Sequence, residues 1–427
     1  MKILITGAFG FVGTNLSAYL AERGHELWAV DVGNRQSAVG NGQLAIGNKQ
    51  PAMGNKNAQR STFNAQRTGG ASVCLPENAE RRSGNGAYAR CFGWDELDAI
   101  PWDEVEAVVH LAGKAHDTRN TSDPQSYFDV NVGLTKRVLE AWGRRTSHRG
   151  TEITESSVCC SDEIESTRPH QSPLSLLELC EKKEKKFLFF SSVKAVADRV
   201  EGVLTEDAVP DPQTPYGQSK LEAEEVVRSL PAVGSRQSAV GNKQSAIGGD
   251  STHALMNSRT HELRYYILRP CMIHGPGNKG NLNLLHGVVR RGVPWPLGIF
   301  ENRRSFASIG NVCAVVEGLL TGDVAAGVYQ VADDDALSTN ELIELMADTM
   351  GKRAHIWRLP KGLMRVLAWG GDVLHLPLNS ERLQKLTESY VASNKKIKAA
   401  LGWERMPVDA REGMRRTIMS FEATKNT

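Results

Sequence analysis

A tyrosine and a lysine four residues apart are the first side chains in this sequence whose types and spacing could do chemistry. Tyr216 and Lys220 lie in the stretch PYGQSK, and the spacing places both on one face of a helix. A free tyrosine has a pKa of about 10, so a neighbouring cation is needed before its hydroxyl can exchange a proton near neutral pH. The lysine ammonium would supply that cation, which makes the pair a candidate acid–base catalyst.

A second candidate is an apolar run that ends in two serines, FLFFSSV at 187–193. The run predicts a buried strand, and a hydroxyl at its carboxyl end could hydrogen-bond a substrate oxygen that gains or loses a proton. The pair Y-x-x-x-K is common by chance, so it indicates a catalytic site only when a strand such as this one accompanies it.

Three glycines, Gly7, Gly10 and Gly13, follow the first apolar run and precede a helical pattern. Their missing side chains would let a pyrophosphate approach the backbone at a helix N-terminus. Asp31 ends the next predicted strand, where a carboxylate binds the adenosine ribose and repels a 2′-phosphate. The pattern therefore predicts NAD as cofactor. Arg35 lies close enough to leave NADP open.

Strands that alternate with helices must position these groups. Strands are predicted at Lys2–Thr6, Glu26–Asp31, Val105–Leu111, Phe187–Ser191 and Tyr265–Leu268, and helices at Gly13–Arg23, Tyr127–Trp142 and Gly217–Leu230. This alternation predicts an α/β fold with a doubly wound parallel sheet of the Rossmann type. The composition changes after Pro270, which predicts a nucleotide-binding domain at 1–272 and a smaller, mixed but mainly helical substrate lobe at 273–427.

Two glycine-rich segments share the heptapeptide RQSAVGN, at Arg35–Asn41 and again at Arg236–Asn242. A coiled coil is excluded because the apolar residues of each unit are adjacent and each unit carries a glycine. We interpret both as flexible insertions, near 35–66 and 232–262, and expect a third near 146–186.

The composition excludes several classes of function. The chain has 427 residues and a net charge of +2, which gives no reason to expect nucleic acid as a partner. No apolar run is long enough for a membrane span. The 7 cysteines show no metal-ligand spacing, so we expect a reduced, cytoplasmic protein without a metal site.

In these features the chain resembles the extended short-chain dehydrogenase/reductase family, and within it the nucleotide-sugar epimerases and reductases. The passages that carry the resemblance are GAFGFVG at the start, VVHLAGKAH at 108–116, NVGLTKRVLEA at 131–141, FLFFSSVKA at 187–195, PYGQSK at 215–220, LRPCMIHGPG at 268–277, NRRSFASIGNV at 302–312 and LGWERM at 401–406. They follow the family order and cover most of the chain outside the three segments.

The resemblance implies roles for individual residues. Ser192, Tyr216 and Lys220 match the family's catalytic triad. Gly7, Gly10, Gly13, Asp31, Ala112, Asn131 and Ser191 match positions around the cofactor, which Tyr216 and Lys220 also contact. Asn281 and Arg304 match positions that hold the diphosphate of a nucleotide sugar, and adjacent arginines near a cleft suit forked hydrogen bonds to phosphate. The alternative for Arg303 and Arg304 is a solvated pair.

The resemblance implies hydride transfer at C4 of a nucleotide sugar, with UDP as the expected nucleotide. Val193 and Lys194 stand where dehydratases carry an acidic pair, which argues against loss of water. The remaining possibilities are a 4-epimerase and a 4-keto-6-deoxy-sugar reductase. The enlarged segment after Asp31 is poorly suited to retaining a cofactor and slightly favours the reductase. A hydroxysteroid-type dehydrogenase and a non-catalytic NAD(P)-binding protein are alternatives, and a homodimer is left open.

Overall fold

The computed structural model describes residues 1–31, 87–115, 123–147, 184–230, 263–278, 280–374 and 380–423. Its strands are β1 (Lys2–Thr6), β2 (Glu26–Asp31), β3 (Tyr88–Gly93), β4 (Ala107–His110), β5 (Lys185–Phe190), β6 (Val203–Leu204), β7 (Leu263–Pro270), β8 (Met272–His274), β9 (Phe306–Ser308), β10 (Gly327–Val331) and β11 (Val391–Ala392). Its helices are α1 (Phe11–Ala21), α2 (Gln125–Ser147), α3 (Pro215–Arg228), α4 (Asn281–Arg290), α5 (Ile309–Thr321), α6 (Thr339–Thr349), α7 (Lys361–Leu374), α8 (Ser380–Thr387), α9 (Lys395–Leu401) and α10 (Ala410–Ala423).

A parallel sheet of seven strands forms the centre of the described part of the chain. The strand order is β10-β7-β5-β4-β1-β2-β3, and every neighbouring pair is parallel. The order reverses between β1 and β4, the point at which doubly wound sheets open a cleft beyond the carboxyl ends of their strands. The predicted Rossmann-type fold is confirmed.

The two faces of the sheet carry separate apolar cores, because successive side chains of a strand point in opposite directions. Ile3 and Ile5 of β1 pack in a cluster with α1 and α5 residues such as Leu16 and Val315. Leu4, between them, packs on the other face in a cluster with α2 and α3 residues that include Trp142 and Val227. Burial on both faces explains why these strands read as continuous apolar runs.

The second lobe has its own small core, built where α4, α6 and α10 meet. Two short parallel pairs, β8 with β9 and β6 with β11, connect it to the first lobe. Strand β10 and helix α5 come from the stretch predicted as the substrate lobe, yet β10 completes the main sheet beside β7 and α5 packs against α1. The chain therefore returns to the first lobe after residue 273. Among the helices of the described ranges, none is both long enough and apolar enough to span a bilayer.

The insertions predicted near 35–66 and 232–262 lie outside the described residues, as does most of the one predicted near 146–186. At the edges of that third segment, α2 reaches Ser147 and β5 begins at Lys185.

Candidate active site

The glycine turn between β1 and α1 lets neighbouring backbone segments approach one another closely. Gly7 has a φ of 68°, and a Cβ placed on it would lie 2.8 Å from the amide nitrogen of Ala112. A Cβ on Gly13 would lie 2.5 Å from the carbonyl oxygen of Gly7, and one on Gly10 would lie 3.2 Å from the same atom. Only glycine fits at the first and third positions. The bare backbone before the N-terminus of α1 is a cradle that fits a dinucleotide pyrophosphate.

Asp31 closes β2 beside this turn. Its carboxylate accepts a hydrogen bond of 2.8 Å from the backbone N–H of Phe9. The side chain is therefore held at the rim of the glycine turn, in the place from which a carboxylate could reach an adenosine ribose.

The start of α3 is fixed by a cap and by a neighbouring carboxylate. Thr214 caps the helix by accepting a hydrogen bond from the N–H of Gly217, and Pro215 occupies the first turn. The Asp198 carboxylate accepts hydrogen bonds from the backbone N–H groups of Gln213 and Thr214. A Cβ on Gly217 would lie 2.4 Å from the carbonyl oxygen of Lys194, so this glycine lets α3 pack against the turn after β5.

Tyr216 lies in the first turn of α3 and is hydrogen-bonded to Ser192, the residue that follows the end of β5. Burial raises the pKa of the Tyr216 phenol, and the hydrogen bond with Ser192 opposes that rise. The ring of Tyr127, from α2, meets the Tyr216 ring edge-on with centroids 6.1 Å apart. The turn after the serine strand and the first turn of α3 therefore meet at Ser192 and Tyr216.

Lys220 lies one turn further along α3 and is 5% exposed. Its Nζ donates a hydrogen bond of 2.9 Å to the carbonyl oxygen of Phe190, and it would lie 3.0 Å from a Cβ placed on Gly113. Burial lowers the pKa of the Lys220 ammonium to about 8, and the negative charge of Glu224 opposes the shift. At that pKa the lysine side chain is still mostly protonated at neutral pH.

Asn131 joins α2 to the loop after β4. Its Oδ1 accepts a 2.7 Å hydrogen bond from the N–H of Lys114, and its Nδ2 donates at 2.9 Å to the hydroxyl of Ser219 on α3. Ala112, in the same loop, donates its N–H to the hydroxyl of Thr6 at 3.2 Å. Ala112 therefore lies against Gly7 of the glycine turn, while Asn131 and Lys220 both lie beside Gly113.

Ser191 contributes its hydroxyl to a buried ionic cluster rather than to open space. The hydroxyl donates to Glu224 at 2.5 Å, and Arg269 forms two hydrogen bonds of 2.6 and 2.8 Å with the same carboxylate. Arg228 adds a third charged contact at 2.7 Å. The proton of the Ser191 hydroxyl is therefore directed to Glu224, so this hydroxyl could contact a cofactor only as an acceptor.

Arg304 is held in the second lobe by its backbone, which pairs with Leu337 and with Tyr390. Its Nε donates at 3.1 Å to the carbonyl oxygen of Glu388, and burial lowers the pKa of the guanidinium. Arg303, its neighbour, is exposed and lies 3.8 Å from a carboxylate oxygen of Glu341. Asn281 begins α4, and its side chain falls outside the part of the chain that the structure describes.

Several residues around this site were not predicted from the sequence. The hydroxyl of Tyr390 donates to the carbonyl oxygens of Val193 and Ala197, at 3.1 and 2.8 Å, and so ties the second lobe to the turn that holds Ser192. Gly113 and the Glu224–Arg269 pair were also missed. Glu224 lies four residues after Lys220, and that spacing was the one available signal.

Two curated relatives are similar to this chain in sequence. A UDP-glucose 4-epimerase of Vibrio cholerae is 28% identical over 337 residues, which is 77% of this chain and 80% of that protein. A GDP-6-deoxy-D-mannose reductase of Pseudomonas aeruginosa is 24% identical over 276 residues, which is 62% of this chain and 70% of that protein.

Solved structures share the fold. The UDP-glucose 4-epimerase of Thermus thermophilus, in complex with NAD, is 19% identical and aligns over 99% of both chains with a TM-score of 0.56. The model of the NAD dependent epimerase/dehydratase family matches residues 3–333 of this chain. This protein therefore belongs to the NAD-dependent epimerase/dehydratase family, as its sequence predicted, and is an enzyme that uses NAD.

Proposed function

We propose that the protein transfers hydride at C4 of a UDP-linked sugar, as a 4-epimerase. The observation that carries this proposal is that Tyr216, hydrogen-bonded to Ser192, and Lys220 lie one turn apart on α3, with Lys220 beside Gly113 in the loop whose Ala112 touches the glycine turn. The similarity to a UDP-glucose 4-epimerase over 80% of that relative supports the choice of substrate and reaction.

Tyr216 accepts the proton of the C4 hydroxyl when the sugar is oxidised and returns it when the sugar is reduced. Ser192, hydrogen-bonded to Tyr216, holds the same substrate oxygen in line with the phenol. The Lys220 ammonium favours the ionised phenol at the moment of transfer and would also help to hold the ribose of the cofactor. NAD, when bound, would supply the acceptor and donor for the C4 hydride.

The chain's own groups also fit the rest of the cofactor and the substrate. Gly7, Gly10 and Gly13 would hold the pyrophosphate, and Asp31 would hold the adenosine ribose. Arg304 would bind the substrate diphosphate together with Asn281. A guanidinium presents a planar fork of N–H donors, which suits the oxygens of a diphosphate.

The second candidate is a 4-keto-sugar reductase, which would release oxidised cofactor after each turnover. Two observations favour it: the similarity to a GDP-6-deoxy-D-mannose reductase and the long segment that follows Asp31 in the sequence. A non-catalytic NAD-binding role is disfavoured, because the tyrosine and lysine that such proteins typically lose are both present and brought together here.

The deciding experiment measures bound cofactor and turnover on the same sample. We expect purified protein to contain close to one NAD per chain and to interconvert a UDP-hexose and its C4 epimer without added cofactor. Tyr216→Phe, which should retain NAD, is the control for chemistry at this site. Protein that lacks NAD and instead consumes added NADH or NADPH with a 4-keto nucleotide sugar would establish the reductase and overturn the epimerase.

A further inference from the structure

A continuous row of hydrogen bonds lies beneath the proposed cofactor cleft. It begins at the N–H of Ala112, which donates to the Thr6 hydroxyl at 3.2 Å. Thr6 lies 2.7 Å from Nδ1 of His110, and Nε2 of His110 lies 3.0 Å from the Thr135 hydroxyl. The Thr135 hydroxyl donates at 2.7 Å to the carbonyl oxygen of Asn131. The row joins β1, β4 and α2.

His110, at the centre of the row, is fully buried between aromatic rings. Its ring stacks on Phe189 with centroids 5.8 Å apart and tilts against Phe187 at 6.2 Å. Burial, and then the charge of Lys220, lower the pKa of His110 to about 3. The imidazole is therefore neutral at physiological pH, with one nitrogen that donates and one that accepts.

The neutral ring and the two ends of the row fix the direction of every bond. Thr6 already accepts from Ala112, so its own proton is free to go to Nδ1 of His110. Thr135 directs its proton to the carbonyl of Asn131, so it must accept from Nε2 of His110. The Nε2–H tautomer is the one that satisfies all the bonds at once.

The two ends of the row hold the two walls of the cleft. At one end, the backbone of Ala112 touches Gly7, where even a methyl group would clash. At the other end, Asn131 binds both the backbone of Lys114 and the hydroxyl of Ser219, one residue before Lys220. A change in the length of the row would therefore shift the loop after β4 relative to both the glycine turn and Lys220.

We propose that His110 is a positioning residue for the cofactor, which acts through Thr6 and Thr135 to set the gap between the glycine turn and Lys220. The inference rests on the proposed function, because it takes that gap as the cofactor site. His110 itself touches no reacting atom. Its contribution should therefore appear as NAD affinity and not as affinity for the sugar.

The test is to replace the Thr135 hydroxyl while keeping its shape. Thr135→Val removes both hydrogen bonds of that hydroxyl, so it should weaken NAD binding by about fivefold or more and leave the KM for the sugar within about twofold. Thr135→Ser restores the hydroxyl and should restore the Kd for NAD. Both values come from titration of cofactor-stripped protein and steady-state kinetics.

Thr349→Val is the matched control. The Thr349 hydroxyl on α6 also donates to the carbonyl oxygen four residues earlier, that of Leu345, at 2.7 Å. It lies in the second lobe. A folded Thr135→Val protein with wild-type affinity for NAD would overturn the inference. If Thr135→Val does not fold, Thr6→Val replaces it in the test. This variant breaks the other end of the row and should weaken NAD binding in the same way. Wild-type protein that binds no NAD would overturn the cofactor site itself, and this inference with it.

Discussion

The backbone N–H of Phe9 and the carboxylate of Asp31 form a hydrogen bond of 2.8 Å, which joins the turn after β1 to the end of β2. The two residues are 22 positions apart in the sequence. The bond orients the carboxylate that we propose to bind the adenosine ribose. If it does so, the bond connects the shape of the glycine turn with the choice between NAD and NADP.

Asp31→Asn should weaken NAD binding by about tenfold or more, because a charge-assisted hydrogen bond to the ribose is lost. The Kd for NADP should change less, since the repulsion of its 2′-phosphate disappears at the same time. Calorimetric titration with both cofactors measures the two effects. The exposed Asp348→Asn is the control and should change neither Kd. Equal losses for NAD and NADP would argue against a ribose contact.

Tyr216→Phe should lower kcat by about 100-fold to 10,000-fold, because it removes the proton carrier and little volume. Affinity for NAD should stay within about threefold of wild type. Tyr329→Phe, which removes a hydroxyl that donates to Ala325 at the far edge of the sheet, is the control and should retain activity. A Tyr216→Phe enzyme with near-normal kcat would show that another group carries the proton.

The rate should fall as the pH rises through about 8, because burial lowers the pKa of the Lys220 ammonium to about 8 and the neutral amine no longer supports the phenolate. The same shift has the opposite effect on stability. Between about 8 and the ordinary value of 10.5, the unfolded chain binds more protons at this site, so the Lys220 contribution to the free energy of unfolding rises with pH.

A profile of kcat/KM from pH 6 to 10, with circular dichroism at each pH, separates the two effects. A profile that stays flat to pH 9.5 would contradict the role given to Lys220. Lys220→Met, which has no charge to lose, should lack the alkaline fall and should bind NAD more weakly than wild type.

Glu224→Gln should lower the free energy of unfolding by about 3–5 kcal/mol, because it leaves the guanidinium of Arg269 buried without its counter-charge. Both side chains are almost completely buried, at 0% and 2% exposure. Glu412→Gln removes the same kind of partner from the exposed Arg416 and should cost less than about 1 kcal/mol. Urea unfolding measures the free energy of unfolding of both variants. Similar losses in the two variants would mean that the buried pair adds no stability of its own.

Deletion of Gln36–Gln59, or of Gln237–Gly249, should leave turnover within about threefold of wild type. Both stretches lie outside the described residues, and the expectation comes from sequence alone. Each follows an element of the predicted fold at a connection where longer loops cost little, about 0.6 kcal/mol per doubling of length. A tenfold loss of turnover in a folded deletion variant would show that the repeats take part in function.

The sequence alone determined those features that depend on residues close together in the chain. The turn with Gly7, Gly10 and Gly13 follows from spacing within seven residues, and the placement of Tyr216 and Lys220 on one helical face follows from a spacing of four. Alternating apolar runs and helical patterns predicted the parallel sheet and most of its strands. The edge strands β3 and β10 were missed, because β3 mixes polar and apolar residues and β10 comes from the stretch assigned to the second lobe.

Only the tertiary structure decided which distant residues meet. Ser191 turned out to bind Glu224, while Ser192 binds Tyr216, and adjacent serines at the end of a strand cannot be told apart by type. Tyr390 reaches the turn after β5 from 197 residues away. Contacts of this kind depend on the order of strands in the sheet and on how the second lobe packs against it. Neither leaves a local periodic pattern, because the packing energy that fixes them is shared among residues far apart in the chain.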